Sequence, residues 1–228
     1  SVPSSSSSSS RSPSPSVSAL AGVRALFAQK DYWIISLGTF CRYGIYAAVQ
    51  ALWAGPYLMK VLEVSPVNTG NLLFLMSIGI IIGSPICGWL SDTVIGSRKK
   101  VVIFGLVGML SVLVVFARLS AGVGFFPLAL LFFGFGFFAS PGQIMYAHIK
   151  ERMPIELAGT AMTGINFFTM TGVAVFLQGL GSAMQRFYPE ASLGAGAFRG
   201  AFYFCAGCLL VTALLYLLTR ETRRRKPR

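Results

Sequence analysis

Between Asp31 and Lys60 the one charged residue is Arg42. It lies about ten residues past Asp31, which on a helix rising 1.5 Å per residue places it ~15 Å in, near the middle of a hydrocarbon layer about 30 Å thick. Keeping a charge at that depth costs about 2.5 to 3.5 kcal/mol even on the lenient insertion scale, so such a residue is expected to have a function. Tyr43, Tyr46, Gln50 and Trp53 follow at intervals of three or four and share one helix face, with Arg42 beside that stripe, four residues before Tyr46. A guanidinium matches carboxylate or phosphate through paired hydrogen bonds, so a solute bound here is expected to carry an anionic group. Two structural roles fit Arg42 equally: pairing with a carboxylate on another part of the protein, or hydrogen bonding to carbonyls at a helix bend.

Further polar residues lie in later apolar stretches. Gln143, Tyr146 and His148 follow the break at Pro141 and Gly142. His148 is the sole histidine and stands beside Lys150, so it is expected to be solvated at the interface and not to relay protons through the layer. Thr163, Asn166 and Met170 share a face, with Gln178 deeper; Asn166 suits either a solute surface or helix-to-helix hydrogen bonding worth about 0.6 to 2 kcal/mol. Cys205 and Cys208 have a metal-like spacing without a histidine or second cysteine pair beside them, and apolar packing is expected for them, as for Cys41 and Cys87. No catalytic residue, metal site or cofactor is expected. Gly-x-x-x-x-Gly-Lys, Gly-x-Ser-x-Gly and a pair of aspartates within an apolar stretch are all missing.

The elements that must hold these residues follow from composition. Of 228 residues 54% are hydrophobic and 11% charged, against about a quarter charged in a soluble domain. Uncharged runs cover residues 64–91, 119–149, 157–185 and 200–219, and runs of 17 residues cover 43–59 and 101–117. The chain therefore reads as an all-α integral membrane bundle of six helices, at about 32–59, 68–90, 99–118, 124–148, 156–183 and 198–219, joined as hairpins. Residues 1–30, which begin with twelve Ser and three Pro in the first eighteen positions, read as a disordered cytoplasmic linker, residues 31–220 as the bundle, and 221–228 as a basic cytoplasmic tail. The first residue is Ser, which suggests that the chain continues upstream.

The net charge of +12 is a matter of orientation. With six spans, fourteen Lys and Arg fall on the side of both termini and four on the other (Lys60, Arg118, Arg186 and Arg199), with Arg42 left over. The excess of basic residues marks the cytoplasmic side. No soluble domain carries a basic stripe interleaved with aromatics, so nucleic acid is not expected as a partner. The location is expected to be a plasma or bacterial inner membrane, with anionic lipid against the tail. Pro85 and Pro141 within spans, and the small residues Gly79, Gly83, Gly134, Gly136, Gly159 and Gly164, predict bent, closely packed helices.

Between the second and third helices runs Gly88, Trp89, Leu90, Ser91, Asp92, Thr93, Val94, Ile95, Gly96, Ser97, Arg98, Lys99, Lys100. This resembles the hairpin motif of the major facilitator superfamily, Gly-x-Leu-x-Asp followed by Gly and a basic cluster, at the position that the family uses. Thr93 stands where the family has a basic residue and Gly96 comes one residue late, as is usual in the second half of such proteins. The segments Leu52 to Leu58 and Gly159 to Asn166 also resemble second-half sequence, and the resemblance covers about residues 20–220. It implies two inverted three-helix repeats forming the second six-helix half of a twelve-helix secondary transporter, with first and fourth helices lining a solute cavity. Arg42, Tyr43, Tyr46, Gln50, Trp53, Gln143, Tyr146 and Asn166 are then the cavity candidates, and Gly88, Asp92, Gly96, Arg98 and Lys99 a latch remade as the halves rock. Asp92 is expected to accept from helix N-terminal amides, and residues 98–100 to rest on the anionic surface. The implied partners are the missing half or a second copy of the chain, a small solute, and a coupling proton or sodium ion. The alternatives are the membrane subunit of an ATP-driven importer, whose Glu-Ala-Ala loop with a Gly six residues after the Glu is poorly matched at Glu156, and a self-associating six-span protein.

Overall fold

The structure is a computed structural model that describes residues 24–190 and 193–221. Most of the Ser-rich segment and the basic tail past Glu221 lie outside the described residues. Helix α1 spans Lys30–Ala48 and continues through π-helical turns Val49–Trp53 and Tyr57–Val61, separated by the α-turn Ala54–Pro56. There follow α2 (Pro66–Trp89), a π-turn Leu90–Val94, α3 (Arg98–Phe116), α4 (Phe125–Ala139), α5 (Gly142–Arg152), α6 (Ile155–Phe187) and α7 (Ala195–Tyr216). Five of these stretches are long and apolar enough to cross a membrane: Pro66–Val94, Arg98–Phe116, Phe125–Arg152, Ile155–Phe187 and Ala195–Tyr216. A further stretch, Lys30–Val61, is helical throughout but divided by its π-turns, and it carries Lys30, Asp31, Arg42 and Lys60. Residues 24–27, assigned from composition to the linker, form a helical turn with Leu26 buried, so the bundle begins before Lys30.

Local chemistry sets the starts. Ser65 accepts from the Asn68 amide at 3.3 Å with Pro66 as the first helical residue, and Ser97 accepts from the Lys100 amide at 3.1 Å. Gly96 (φ 62°) closes the π-turn before α3 in the left-handed region that glycine enters without cost. Pro85 is accommodated inside a continuous α2, whereas at Pro141 the fourth span stops and restarts as α5.

Packing fixes the arrangement. Tyr32 meets Gly164 and Phe168, Phe40 meets Gly172 and Phe176, and Trp53 covers Gly181, so α1 and α6 run parallel. In the same way Met76 meets Gly136, Gly79 meets Phe133, and Gly83 and Cys87 meet Ser140, so α2 runs parallel to α4–α5. A Cβ on Gly136 would lie 1.9 Å from the Met76 carbonyl oxygen, and one on Gly172 would lie 2.3 Å from that of Phe40. Only glycine allows such backbone contact, the usual means of helix association where no hydrophobic force operates. Helices α3 and α7 are antiparallel: Lys99 reaches the carbonyls of Leu217 and Thr219, while Phe116 meets Phe202. Exchanging the first three spans with the last three turns the α1–α6 contact into α4–α2 and returns α3–α7 to itself. That is the pattern of two inverted three-helix repeats.

Candidate functional site

Arg42 is 5% exposed. Its guanidinium donates from Nη1 to the Ala139 carbonyl and lies 5.3 Å from the centre of the Tyr43 ring, while its Nε has no partner. The helix break creates this seat. In a continuous helix the Gln143 amide would bond the Ala139 carbonyl, but it turns to Ser140 at 3.3 Å, leaving that carbonyl free for a cation. Gly142 supplies the room, since a Cβ there would fall 2.0 Å from Arg42 Cζ.

The stripe along α1 divides by burial. Tyr46 is buried and stacked on Phe135, Tyr43 and Gln50 are half-buried, and Gln50 donates to Ser77 Oγ at 2.8 Å. Trp53 is half-buried against Phe198 and Gly181, and its buried indole N–H has no partner. On the facing spans the Tyr146 hydroxyl lies 3.0 Å from Thr169 Oγ1 and donates to Asn166 Oδ1 at 3.4 Å. Gln143 and Asn166 are exposed. Tyr43, Tyr46 and Tyr146 each lie within electrostatic reach of Arg42 at the junction of α1 and α5. The chain thus brings a buried cation with spare donor capacity next to a partly open polar and aromatic surface.

A second constellation closes the bundle end that holds both ends of the described chain. Arg98, expected on the lipid surface, is buried instead: it pairs with Asp92 at 2.7 Å and Glu151 at 3.0 Å, and reaches Ser91 at 3.4 Å. A guanidinium has enough donors to satisfy both carboxylates at once. The Lys100 amide, at the start of α3, is capped by Ser97, which also donates to Glu221. Lys99 holds the Leu217 and Thr219 carbonyls just past the end of α7, the favoured place for a cation at a helix C-terminus. Gly88 is half-buried near the end of α2, with open space beside it. Asp31 binds Arg152 at 3.0 Å and accepts from the Arg220 amide at 3.3 Å.

His148 corrects the expectation of a solvated side chain: it is 0% exposed, its Nε2 donating to the Arg220 carbonyl at 3.1 Å and its Nδ1 accepting from the Tyr216 hydroxyl at 2.7 Å. Tyr216, Asp31, Glu151 and Arg152 were not singled out from the sequence. Their charges fall at span ends and read there as ordinary flanks, and Tyr216 reads as one more aromatic in an apolar run. Cys205 is buried and Cys208 half-buried among apolar residues.

A family model described as Major Facilitator Superfamily matches residues 35–228. Over 197 residues the chain is 28% identical to the "Probable hexose phosphate transport protein" of Chlamydia trachomatis, covering 85% of this chain and 41% of that protein. A protein of the same name in Chlamydia muridarum is also 28% identical, with the same coverage. The "Glycerol-3-phosphate transporter" of Bacillus subtilis is 26% identical over 204 residues, with 86% and 43% covered. The chain spans about two fifths of the length of these relatives.

Proposed function

This chain belongs to the major facilitator superfamily as a multi-pass membrane protein, and from that premise we propose that it is the second six-helix half of a secondary transporter for a small phosphorylated organic anion. The observation that carries the reading is Arg42, a buried mid-bundle cation whose Nε is unpartnered and which lies beside the Tyr43, Tyr146 and Asn166 surface. The relatives named for hexose phosphate and glycerol 3-phosphate support the same chemistry. Membership of this family also sets aside the importer-subunit alternative.

In this reading the solute lies between two six-helix bundles, the second contributed by the rest of a longer protein or by another copy of the chain. The bundles rock about it, and the energy comes from a solute, proton or sodium gradient. No covalent step is involved. Arg42 attracts the phosphate, the tyrosines and amides orient the remainder, and the Asp92, Arg98 and Glu151 cluster latches the cytoplasmic end. Both termini face the cytoplasm of a plasma or bacterial inner membrane.

Uptake of glycerol 3-phosphate, glucose 6-phosphate and glycerol by the full-length protein tests this. Arg42→Ala is expected to raise the half-saturating phosphate-ester concentration at least about tenfold, the effect of losing a charged hydrogen bond of about 1.5 to 3 kcal/mol. Arg42→Lys restores part of the affinity, because an ammonium keeps the charge and loses the fork. The hydrogen bond to Ala139 favours a second reading, in which Arg42 only clamps the helix break. Arg42→Ala would then lower thermal stability in detergent and leave the apparent affinity unchanged, which would overturn the solute role.

A further inference from the structure

A groove of about 740 Å³ lies between α6 and α7, with Phe40 and Cys41 of α1 at its base. Its volume falls in the roughly 300 to 1,000 Å³ range of small-molecule sites. Small residues make the floor: Gly179 and Ala183 on α6, Ala197, Gly200 and Ala201 on α7. Aromatic rings make the walls, with Phe187 (74% exposed) and Phe204 (60%) standing open to the surroundings. None of Tyr43, Tyr46, Gln50 and Trp53 lines the groove, although Trp53 packs on Gly181 and Phe198 beside it. The neighbouring outer flank of α7 carries Leu210, Val211, Leu214 and Leu217, all exposed and aliphatic.

Length and charge identify the occupant. The lining runs from Val175 to Phe187 on α6 and from Ala197 to Cys208 on α7. At 1.5 Å per residue both stretches are about 17 Å long, close to half of a hydrocarbon core about 30 Å thick. The groove thus spans one leaflet, from the helix ends to mid-depth. At its outer end Tyr188 leans over Gly200, and exposed Arg186 precedes the lining residue Phe187 on α6, while Arg199 turns away to donate to the Ala117 carbonyl at the end of α3. Tyrosine and arginine at that level suit the phosphate layer.

We infer that this groove is a lipid site that holds one acyl chain of a phospholipid from the leaflet opposite the chain's polar end network, with the lipid phosphate at Arg186. The inference rests on the membrane and family assignment and is independent of which solute is carried. Burial of each methylene against the Gly and Ala floor and the aromatic walls supplies the affinity, and Arg186 orients the headgroup.

The test uses the full-length protein in vesicles containing phosphatidylglycerol with a diazirine near the end of one acyl chain, followed by irradiation and peptide mapping. Label is expected to concentrate on residues 175–188 and 197–208. Gly179→Leu fills the groove, and because a Cβ at Gly179 meets nothing within 4 Å the fold tolerates it. That variant is expected to cut labelling of these peptides about tenfold, about 1.4 kcal/mol of binding, while labelling of the α2 and α3 faces stays constant. Even labelling of all outer helix faces in the parent protein, or labelling unchanged by Gly179→Leu, would show annular lipid only and overturn the site. So would efficient cysteine crosslinking of position 204 to the remainder of the protein, since a protein segment would then fill the groove.

Discussion

Arg42 is held by a backbone carbonyl, and the neighbours that seat it, Ala139 and Gly142, carry no polar side chain. An alanine carbonyl becomes its acceptor because Pro141 interrupts the helix, and a glycine becomes its seat because any side chain would collide with it. This makes Gly142→Ala a sharp probe. The added methyl must push the guanidinium away from Ala139, at an overpacking cost of about 1 to 3 kcal/mol. Phosphate-ester uptake is expected to lose affinity as it does in Arg42→Ala, although the arginine is still present; unchanged uptake kinetics with a normally folded protein would show that the seat is irrelevant. Arg42 itself and the break at Pro141 and Gly142 are both visible in the sequence. Their union is not, because Arg42 and its acceptor Ala139 lie 97 residues apart and the bond uses a main-chain oxygen that no residue type announces.

Among the elements, the hairpin between α2 and α3 behaves as a joint. Arg98 turns inward from it to the end of α5, so that Glu151 and Asp92 share one guanidinium. Glu151→Gln removes one of the two charges and leaves Arg98, whose side chain is 10% exposed, with Asp92. Because Glu151 is itself about a third accessible, the loss is discounted for screening to about 1 kcal/mol. The expected outcome is a modest fall in the melting temperature of detergent-solubilised protein together with faster thiol labelling of a cysteine placed in residues 91–97. A latch has both effects, and an unchanged labelling rate would reduce the hairpin to a turn. Where the apolar runs suggest spans at 68–90 and 99–118, the helices run Pro66–Trp89 and Arg98–Phe116. The first span is the exception in kind. Its apolar run is long enough, yet two π-turns divide it, a departure common at functional sites and set by packing against other helices.

For the molecule as a whole, charge and architecture bear on one another. The loops assigned to the terminal side by counting basic residues are those that the bundle brings together: Asp31, the hairpin at 91–99, residues 148–152 and residues 216–221 form one polar network. A reporter fused after Arg228 in the full-length protein is expected to be cytoplasmic and protected from membrane-impermeant reagents in intact cells. Surface labelling of that tail would reverse the orientation or change the number of spans.

Composition and run length alone were enough to mark an apolar, multi-span helical chain with one misplaced cation, because the bilayer imposes a length and a charge rule on each segment separately. The hairpin motif, by its residues and its place, carried the family. What only the tertiary structure decided was partnership: Ala139 and Gly142 for Arg42, Tyr216 and the Arg220 carbonyl for His148, and Glu151 as well as Asp92 for Arg98. The physical reason is the same each time. Arg42, Arg98 and His148 are each buried and have lost most of their water, so each takes whichever partner the packing brings near, and that packing is set by glycine contacts between helices far apart in the chain.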